Sequence, residues 1–210
     1  MNFTIPVRYL LRGPADRGTA VLLHGYQDHA QSMAKRLGWL EAELPFQVLA
    51  INGPFPVPIW KATGFVEAYS WYFRDTSRDL MIVSPDDTAQ KVAEMIRQLV
   101  GDGPVVLVGF SQGGYLAPFI AQVLPSVRAI IAMGSGYPPE PYKGLDKVKI
   151  YGLHGDQDER IPIQSSKQAH AELLQSGLSG EFRVIPGLDH KVDPILEPTV
   201  RGLVLQELKG

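Results

Sequence analysis

A serine stands at the centre of a short glycine-containing motif: residues 109–113 read Gly-Phe-Ser-Gln-Gly. The pattern Gly-x-Ser-x-Gly is typical of a sharp turn between a strand and a helix, where the serine hydroxyl is exposed and can act as a nucleophile. The apolar run 105–108 before the motif suits a buried strand, and residues 112–124 can form a helix. Glycines at both ends would allow the backbone to crowd at this turn. The pattern therefore predicts Ser111 as a nucleophile.

A serine hydroxyl is a weak nucleophile, so it needs a base to remove its proton. In chains that use this turn, the partners follow the serine in the order acid, then histidine. The histidines after Ser111 are His154, His170 and His190. His170 falls within a predicted helix and is expected at the surface, while His154 precedes a glycine and suits a turn. His190 lies in the loop after the last predicted strand, so we predict that it is the base.

The acid that orients this base is expected in the loop after the preceding strand. Asp156, Asp158 and Glu159 all lie in that loop. The residues themselves do not separate these three candidates. Asp189 adjoins His190, but sequence neighbours rarely face each other well enough for an orienting hydrogen bond.

Acyl transfer also needs backbone N–H donors for the negative charge that develops on the substrate oxygen. Gln112 directly follows the predicted nucleophile at the start of a helix, where the helix dipole favours an anion. A second donor is expected from the loop after an early strand, residues 22–28, in which His-Gly precedes Tyr26. We therefore predict the N–H groups of Tyr26 and Gln112 as the oxyanion hole.

Short apolar runs alternate with amphipathic stretches along the whole chain. Most runs lack polar alternation, which is typical of strands that are covered on both faces. The predicted strands are 3–11, 20–23, 47–51, 105–108, 128–133, 148–153 and 182–185, and the predicted helices are 30–44, 85–100, 112–124, 163–176 and 198–208. This order predicts an α/β fold with a mainly parallel central sheet and helices on both faces. A proline and charge within residues 3–11 favour an edge strand there.

The stretch from Asn52 to about Ser84 has no regular pattern but holds seven aromatic residues. Loops of this length are usually functional or disordered, and the aromatic composition argues against disorder. The stretch is expected either to pack over the sheet or to contact an acyl group. The residues predicted to form a substrate pocket are Phe65, Tyr69 and Trp71, of which Trp71 also suits a structural role.

Composition narrows the class of protein. The chain has 210 residues, of which 45% are hydrophobic and 20% charged, and this predicts a single domain over residues 1–210. A formal net charge of -2 argues against nucleic acid or an anionic membrane as a partner. Cysteine is absent, which excludes disulfides, a cysteine nucleophile and thiolate metal sites. No segment resembles a transmembrane helix or a signal peptide, so a cytoplasmic location is expected. A homodimer is left as an option.

From about Ala20 to Leu208 the chain resembles the phospholipase/carboxylesterase family of α/β-hydrolases, which includes the acyl-protein thioesterases. Five strings carry the resemblance. They are Leu-His-Gly at 23–25, Ser-Trp-Tyr at 70–72, Gly-Phe-Ser-Gln-Gly-Gly at 109–114, His-Gly-Asp-Gln-Asp at 154–158 with Ile-Pro at 161–162, and Gly-Leu-Asp-His at 187–190.

The resemblance implies an α/β-hydrolase fold and hydrolysis of carboxylic esters through an acyl-enzyme intermediate, without a metal or cofactor. In the family's His-Gly-x-x-Asp string the last aspartate is the acid, which here is Asp158. The segment Gly134–Lys147 is short and rich in proline, so no cap domain is expected and the partner should be a small-molecule ester or acyl substrate. The alternatives are an acyl-protein thioesterase or lysophospholipase and, outside the enzymes, a catalytically silent binding module.

Overall fold

The computed structural model describes residues 7–75, 77–139, 142 and 144–209. The helices are α1 (Ala30–Arg36), α2 (Pro85–Val100), α3 (Gln112–Val123), α4 (Ile163–Gln175) and α5 (Glu197–Leu208). The strands are β1 (Tyr9–Arg12), β2 (Thr19–Leu23), β3 (Gln47–Ile51), β4 (Phe55–Pro56), β5 (Ile59–Lys61), β6 (Gly64–Val66), β7 (Tyr69–Ser70), β8 (Phe73–Asp75), β9 (Leu80–Val83), β10 (Val105–Phe110), β11 (Val127–Met133), β12 (Lys149–Gly155) and β13 (Ser179–Ile185).

Seven strands form the central sheet in the order β1-β3-β2-β10-β11-β12-β13. β1 is antiparallel to β3, and the other neighbours are parallel. The predicted sheet is thus confirmed, with β1 at its edge, although residues 3–6 of the first predicted strand lie outside the described residues. Because the strands are parallel, β10, β12 and β13 all end at the same edge of the sheet.

The central strands are mostly apolar because both faces of the sheet are covered. Leu22 and Val108 face one hydrophobic cluster, to which α1 and α5 contribute. Val21 and Leu107 face a second cluster, formed with α2, α3 and the end of α4. Successive side chains of a strand point to opposite faces, so apolar residues are favoured at neighbouring positions. This double cover explains the missing alternation in the sequence.

Helix α1 is shorter than the predicted helix 30–44, which was wrong in its second half. The helix ends at Arg36, and Gly38 adopts a φ of +71°, the left-handed conformation that commonly terminates a helix. The apolar residues beyond it, Trp39 and Leu44, are still buried. Apolar residues therefore continue beyond the helix because they are buried in the core, and not because they share a helical face.

The aromatic stretch 52–84 contains more regular structure than its sequence predicted. It forms small two-stranded sheets that pair β4 with β7, β5 with β6, and β8 with β9. In contrast, the described residues between β11 and β12 contain no helix that could form a cap. No helix in the described ranges is long and apolar enough to cross a membrane.

A carboxylate on the last helix joins that helix to the sheet. Glu207 Oε1 accepts hydrogen bonds from Lys149 Nζ at 2.9 Å, from the Tyr151 hydroxyl at 2.7 Å and from Gln206 Nε2 at 2.7 Å. Burial alone would raise the pKa of Glu207, but these donors outweigh it and hold the pKa below its usual value. The charged carboxylate thus stabilises the contact between α5 and β12.

We expect Glu207→Gln to lower the free energy of unfolding by about 1–3 kcal/mol at neutral pH, because hydrogen bonds to a charged acceptor are lost. A carboxyl with a lowered folded-state pKa stabilises the protein above its unfolded pKa, and this stabilisation is lost as the pH falls through the folded value. The difference from wild type should therefore shrink below the usual pKa of 4.5. Urea unfolding at several pH values measures it. Glu94→Gln on the exposed face of α2 is the control and should change stability by less than about 0.5 kcal/mol.

Candidate active site

Ser111 lies on the turn between β10 and α3 with a φ of 50° and a ψ of -113°. Such a backbone costs roughly 1–3 kcal/mol for a residue other than glycine, so it persists only when its surroundings hold it. The Ser111 N–H donates to Met133 O at 2.9 Å. The side chain makes no helix-capping hydrogen bond, which leaves the hydroxyl free to meet groups at the edge of the sheet.

The glycines around this serine are required by close packing. A Cβ at Gly113 would lie 2.1 Å from Leu23 O, and one at Gly109 would lie 2.5 Å from Gly114 N. Side-chain carbons do not approach backbone atoms so closely. The crowding anticipated from the motif is therefore present, and it lets α3 start directly against the ends of β2 and β10.

A histidine from a distant loop contacts the Ser111 hydroxyl, and an aspartate from another loop contacts that histidine. His190 Nε2 lies 3.1 Å from Ser111 Oγ, and His190 Nδ1 lies 2.8 Å from Asp158 Oδ2. The other carboxylate oxygen, Oδ1, accepts from the N–H groups of Arg160 at 3.0 Å and Ile161 at 2.9 Å. Since Nδ1 faces a carboxylate, it carries the ring proton of a neutral His190, and Nε2 is left to accept from the serine. This arrangement can pass a proton from serine to histidine.

The four acidic residues considered as the orienting acid differ in their contacts. Asp156 Oδ1 accepts from Gly187 N at 2.7 Å, and Asp189 lies 3.2 Å from Lys191 Nζ. Glu159 is exposed. Asp158, which is 7% exposed, is the one of the four that contacts the imidazole.

The two remaining histidines after the serine are both in the interior. His170 was expected at the surface, and this was wrong: it is 1% exposed, and its Nε2 lies 2.8 Å from Ile150 O. The mid-helix position gave no sign that this face of α4 packs on the sheet. His154 is also buried, with Nε2 2.9 Å from Ile161 O.

The two predicted oxyanion donors belong to segments that adjoin the serine. Gln112 is the first residue of α3, so its N–H has no partner within the helix. Tyr26 follows β2, and its side chain is half-exposed. A Cβ at the preceding Gly25 would lie 3.6 Å from Ser111 Cβ, which brings the Tyr26 loop against the serine.

The three predicted pocket residues differ in exposure. Phe65 is exposed on the β5–β6 hairpin, with its ring centroid 5.7 Å from that of Trp60. Tyr69 is largely buried, and its carbonyl accepts from Gln27 N at 3.0 Å, next to the Tyr26 loop. Trp71 is fully buried, so its ring packs within the protein.

A model of the family described as Phospholipase/Carboxylesterase matches residues 13–195. The chain belongs to this family. The resemblance inferred from the sequence is thereby confirmed.

Individual relatives agree with this family. Acyl-protein thioesterase 1 homolog 1 of Dictyostelium discoideum is 27% identical over 159 residues, which span 71% of this chain and 68% of that protein. Carboxylesterase SOBER1 of Arabidopsis thaliana is 24% identical over 135 residues, 59% of each chain. The crystal structure of Zea mays acyl-protein thioesterase 2 has the same fold, with a TM-score of 0.73 at 18% identity over 96% of this chain and 99% of that one.

In this member of the family the side chain of Gln112 has a role that the motif did not reveal. Its Oε1 accepts from Trp71 N at 3.0 Å, and its Nε2 donates to Tyr72 O at 2.8 Å. The amide therefore satisfies the backbone of residues 70–72 while the backbone of Gln112 begins α3. The shared presence of Ser-Trp-Tyr and Ser-Gln-Gly in the sequence was the only signal of this contact.

His24 fixes the loop that carries Tyr26. Its Nε2 accepts from Gly53 N at 2.9 Å, and its Nδ1 donates to Gly25 O at 2.6 Å. The Trp71 indole donates to His24 O at 2.8 Å. These bonds require a neutral ring, and burial lowers the pKa of His24 from 6.5 to about 4. His24 thus links the Tyr26 loop to the aromatic segment.

We expect acid to destabilise the protein through His24. A histidine with a lowered folded-state pKa binds more protons when unfolded, so stability falls as the pH drops from its unfolded to its folded pKa. Between pH 7 and pH 4.5, His24 should account for a loss of roughly 2 kcal/mol. His24→Gln keeps an acceptor but takes up no proton, so its stability should decline less over this range. Urea unfolding of both proteins at the two pH values measures the difference, and an equal decline would contradict the assignment.

Proposed function

We propose that this chain is a serine carboxylesterase that cleaves carboxylic esters through an acyl-enzyme intermediate. Ser111 is the nucleophile, His190 the general base and Asp158 the residue that orients the base. The observation that carries the proposal is the unbroken contact from Ser111 Oγ to His190 Nε2 at 3.1 Å and from His190 Nδ1 to Asp158 Oδ2 at 2.8 Å. This is the order of groups that activates a serine hydroxyl.

In the first half of the reaction, Ser111 Oγ attacks the acyl carbon while His190 Nε2 takes its proton. Asp158 stabilises the resulting imidazolium and keeps the ring oriented. The imidazolium then protonates the leaving alcohol, and the acyl group stays on Ser111. In the second half, His190 takes a proton from water, which attacks the acyl carbon. The bond from the acyl carbon to Ser111 Oγ then breaks, the imidazolium returns the proton to Oγ, and the carboxylic acid leaves.

The N–H groups of Gln112 and Tyr26 stabilise the negative oxygen of the tetrahedral intermediate. The start of α3 favours an anion through the partial positive charge of the helix N-terminus. Gly25 brings the second loop within contact distance of Ser111, which supports Tyr26 as the second donor. Both donors belong to the backbone, so the side chain at position 26 is free to vary with substrate.

Thioesters are the alternative substrate class, because one relative is named as an acyl-protein thioesterase. Lysophospholipids are a third class of substrate, and a catalytically silent binding module is the candidate function outside the enzymes. A small-molecule ester is the substrate that the family favours. The rates at which one preparation of the protein hydrolyses nitrophenyl esters, acyl thioesters and lysophospholipids show which of these substrate classes it prefers. The cytoplasmic location and the homodimer stay predictions.

We expect Ser111→Ala to abolish ester hydrolysis, and His190→Ala and Asp158→Asn each to lower kcat by roughly 10³- to 10⁶-fold. The first change removes the nucleophile, the second removes the base, and the third removes the charge that orients the base. Steady-state kinetics with a nitrophenyl ester and circular dichroism of the folded variants measure the effects. Asp156→Asn is the matched control for the acid and should keep kcat within about twofold of the wild type.

A fluorophosphonate probe separates an active esterase from a binding module. Wild-type protein should be labelled covalently at Ser111, and the Ser111→Ala variant should not. Unlabelled wild type without ester turnover would support the binding module. Wild-type rates in Ser111→Ala would overturn the proposed nucleophile.

Phe65 is the proposed contact for the acyl chain, since this residue is 62% exposed on the β5–β6 hairpin. We expect Phe65→Ala to raise KM for longer acyl chains by roughly 3- to 10-fold, because an aromatic contact is lost, and to leave kcat unchanged. Kinetics over a series of acyl lengths measures this. Leu80→Ala, which removes an exposed apolar side chain from the β8–β9 hairpin, is the control. Equal KM values for Phe65→Ala and wild type at all chain lengths would contradict the assignment.

A further inference from the structure

His154 lies at the end of β12, beneath the loop that carries the proposed acid. It is 1% exposed, and its ring stacks on Phe182 with centroids 6.1 Å apart. Its Nε2 lies 2.9 Å from Ile161 O and 3.3 Å from Asp158 Oδ2. Both neighbours are oxygen acceptors, so Nε2 must carry a proton. Nothing in the proposed reaction uses this buried donor directly.

The turn from Asp158 to Ile161 is closed by two sets of hydrogen bonds. From one side, Asp158 Oδ1 accepts from the N–H groups of Arg160 and Ile161. From the other side, the imidazole of His154 donates to the carbonyl of Ile161. The carboxylate therefore has one oxygen fixed by the turn, and Oδ2 is directed at His190.

We propose that His154 is a positioning residue that holds the Asp158–Ile161 turn, and through it the Asp158 carboxylate, in line with His190. The inference rests on the proposed function, because positioning matters only if Asp158 orients a catalytic base. Without the donor, the half-buried Ile161 loses the partner of its carbonyl oxygen, and the turn relaxes. The carboxylate then moves relative to the imidazole, and a misplacement of about 1 Å can cost on the order of 10²-fold in rate.

His170 provides a matched comparison within the same protein. It is equally buried, its Nε2 lies 2.8 Å from Ile150 O, and its ring packs on Phe182 with centroids 5.5 Å apart. Its carbonyl partner lies near the start of β12 and not in the acid turn. A purely structural role for buried histidines in this region predicts the same behaviour for both residues, whereas positioning predicts a rate effect for His154 alone.

The experiment compares glutamine and methionine at both positions. The two side chains have the same length, but only glutamine ends in an N–H donor. For His154→Met we expect kcat to fall roughly 10- to 100-fold with KM within about twofold of wild type, and for His154→Gln most of kcat to return. His170→Gln and His170→Met should keep wild-type kcat even if they lower stability. Steady-state ester kinetics and thermal unfolding are measured for all four variants.

The outcomes separate this inference from the function on which it rests. Loss of kcat in His154→Met with recovery in His154→Gln and normal rates in both His170 variants supports it. Equal kcat in His154→Met and wild type, or equal losses at both histidines, overturns it while the esterase stands. A wild type without hydrolysis overturns the proposed function and the inference together. If His154→Met does not fold, His154→Asn replaces it, since its shorter amide cannot span to Ile161 O and should show the same loss of kcat.

Discussion

The site depends on one strained residue that its neighbours hold from every side. Ser111 has a positive φ, and its backbone groups are all bonded: the N–H donates to Met133 O, and the carbonyl accepts from Tyr115 N and from the Ser135 hydroxyl. Gly113 packs against the end of β2 and Gly109 against the start of α3, and a Cβ at either position would collide with backbone atoms. These hydrogen bonds and this close packing offset the strain of about 1–3 kcal/mol in the Ser111 backbone. The same contacts orient the Ser111 hydroxyl toward His190 at the edge of the sheet.

The parallel sheet makes the remaining groups meet at that edge. Strands β10, β12 and β13 are each in register with a parallel neighbour, so the loops that follow them emerge together. Asp158 and His190 are 32 positions apart in the sequence, and His190 and Ser111 are 79 apart. The two side chains of each pair nevertheless lie within hydrogen-bond distance of each other. Ligands generally bind outside the carboxyl ends of parallel strands, and the proposed catalytic groups lie at that edge of this sheet.

Much of this arrangement could be predicted from sequence because its signals are local. Helix α2 was predicted with the bounds it has, since Ser84, Pro85 and the apolar spacing all point the same way. The turn at Ser111 and the loop of His190 carry their own motifs. In contrast, α1 ends at Arg36, although the sequence predicted a helix to residue 44. Over a few residues, apolar positions buried in a core and apolar positions on a helical face give the same sequence pattern. The choice of Asp158 over Asp156 needed the family resemblance, since it depends on which carboxylate the turn directs inward.

The sequence did not reveal contacts between side chains and distant backbone. The burial of His170, the bonds of His24 to Gly53 and of His154 to Ile161, and the strands within residues 52–84 all depend on which segments meet in three dimensions. A buried histidine that satisfies a carbonyl looks the same in sequence as one on the surface. Such residues are found only when each buried polar group is traced to its partner.

The backbone and the side chain of Gln112 have different roles, and this limits how the enzyme could be redesigned. Its main chain is the proposed donor to the reacting oxygen, while its amide anchors residues 70–72, which lie between the β5–β6 and β8–β9 hairpins. Reshaping those hairpins for bulkier acyl groups would therefore be transmitted to the oxyanion hole unless this amide is retained. Directed evolution of substrate range should tolerate changes at the hairpin tips, such as Trp60 and Phe65, far better than changes at their base.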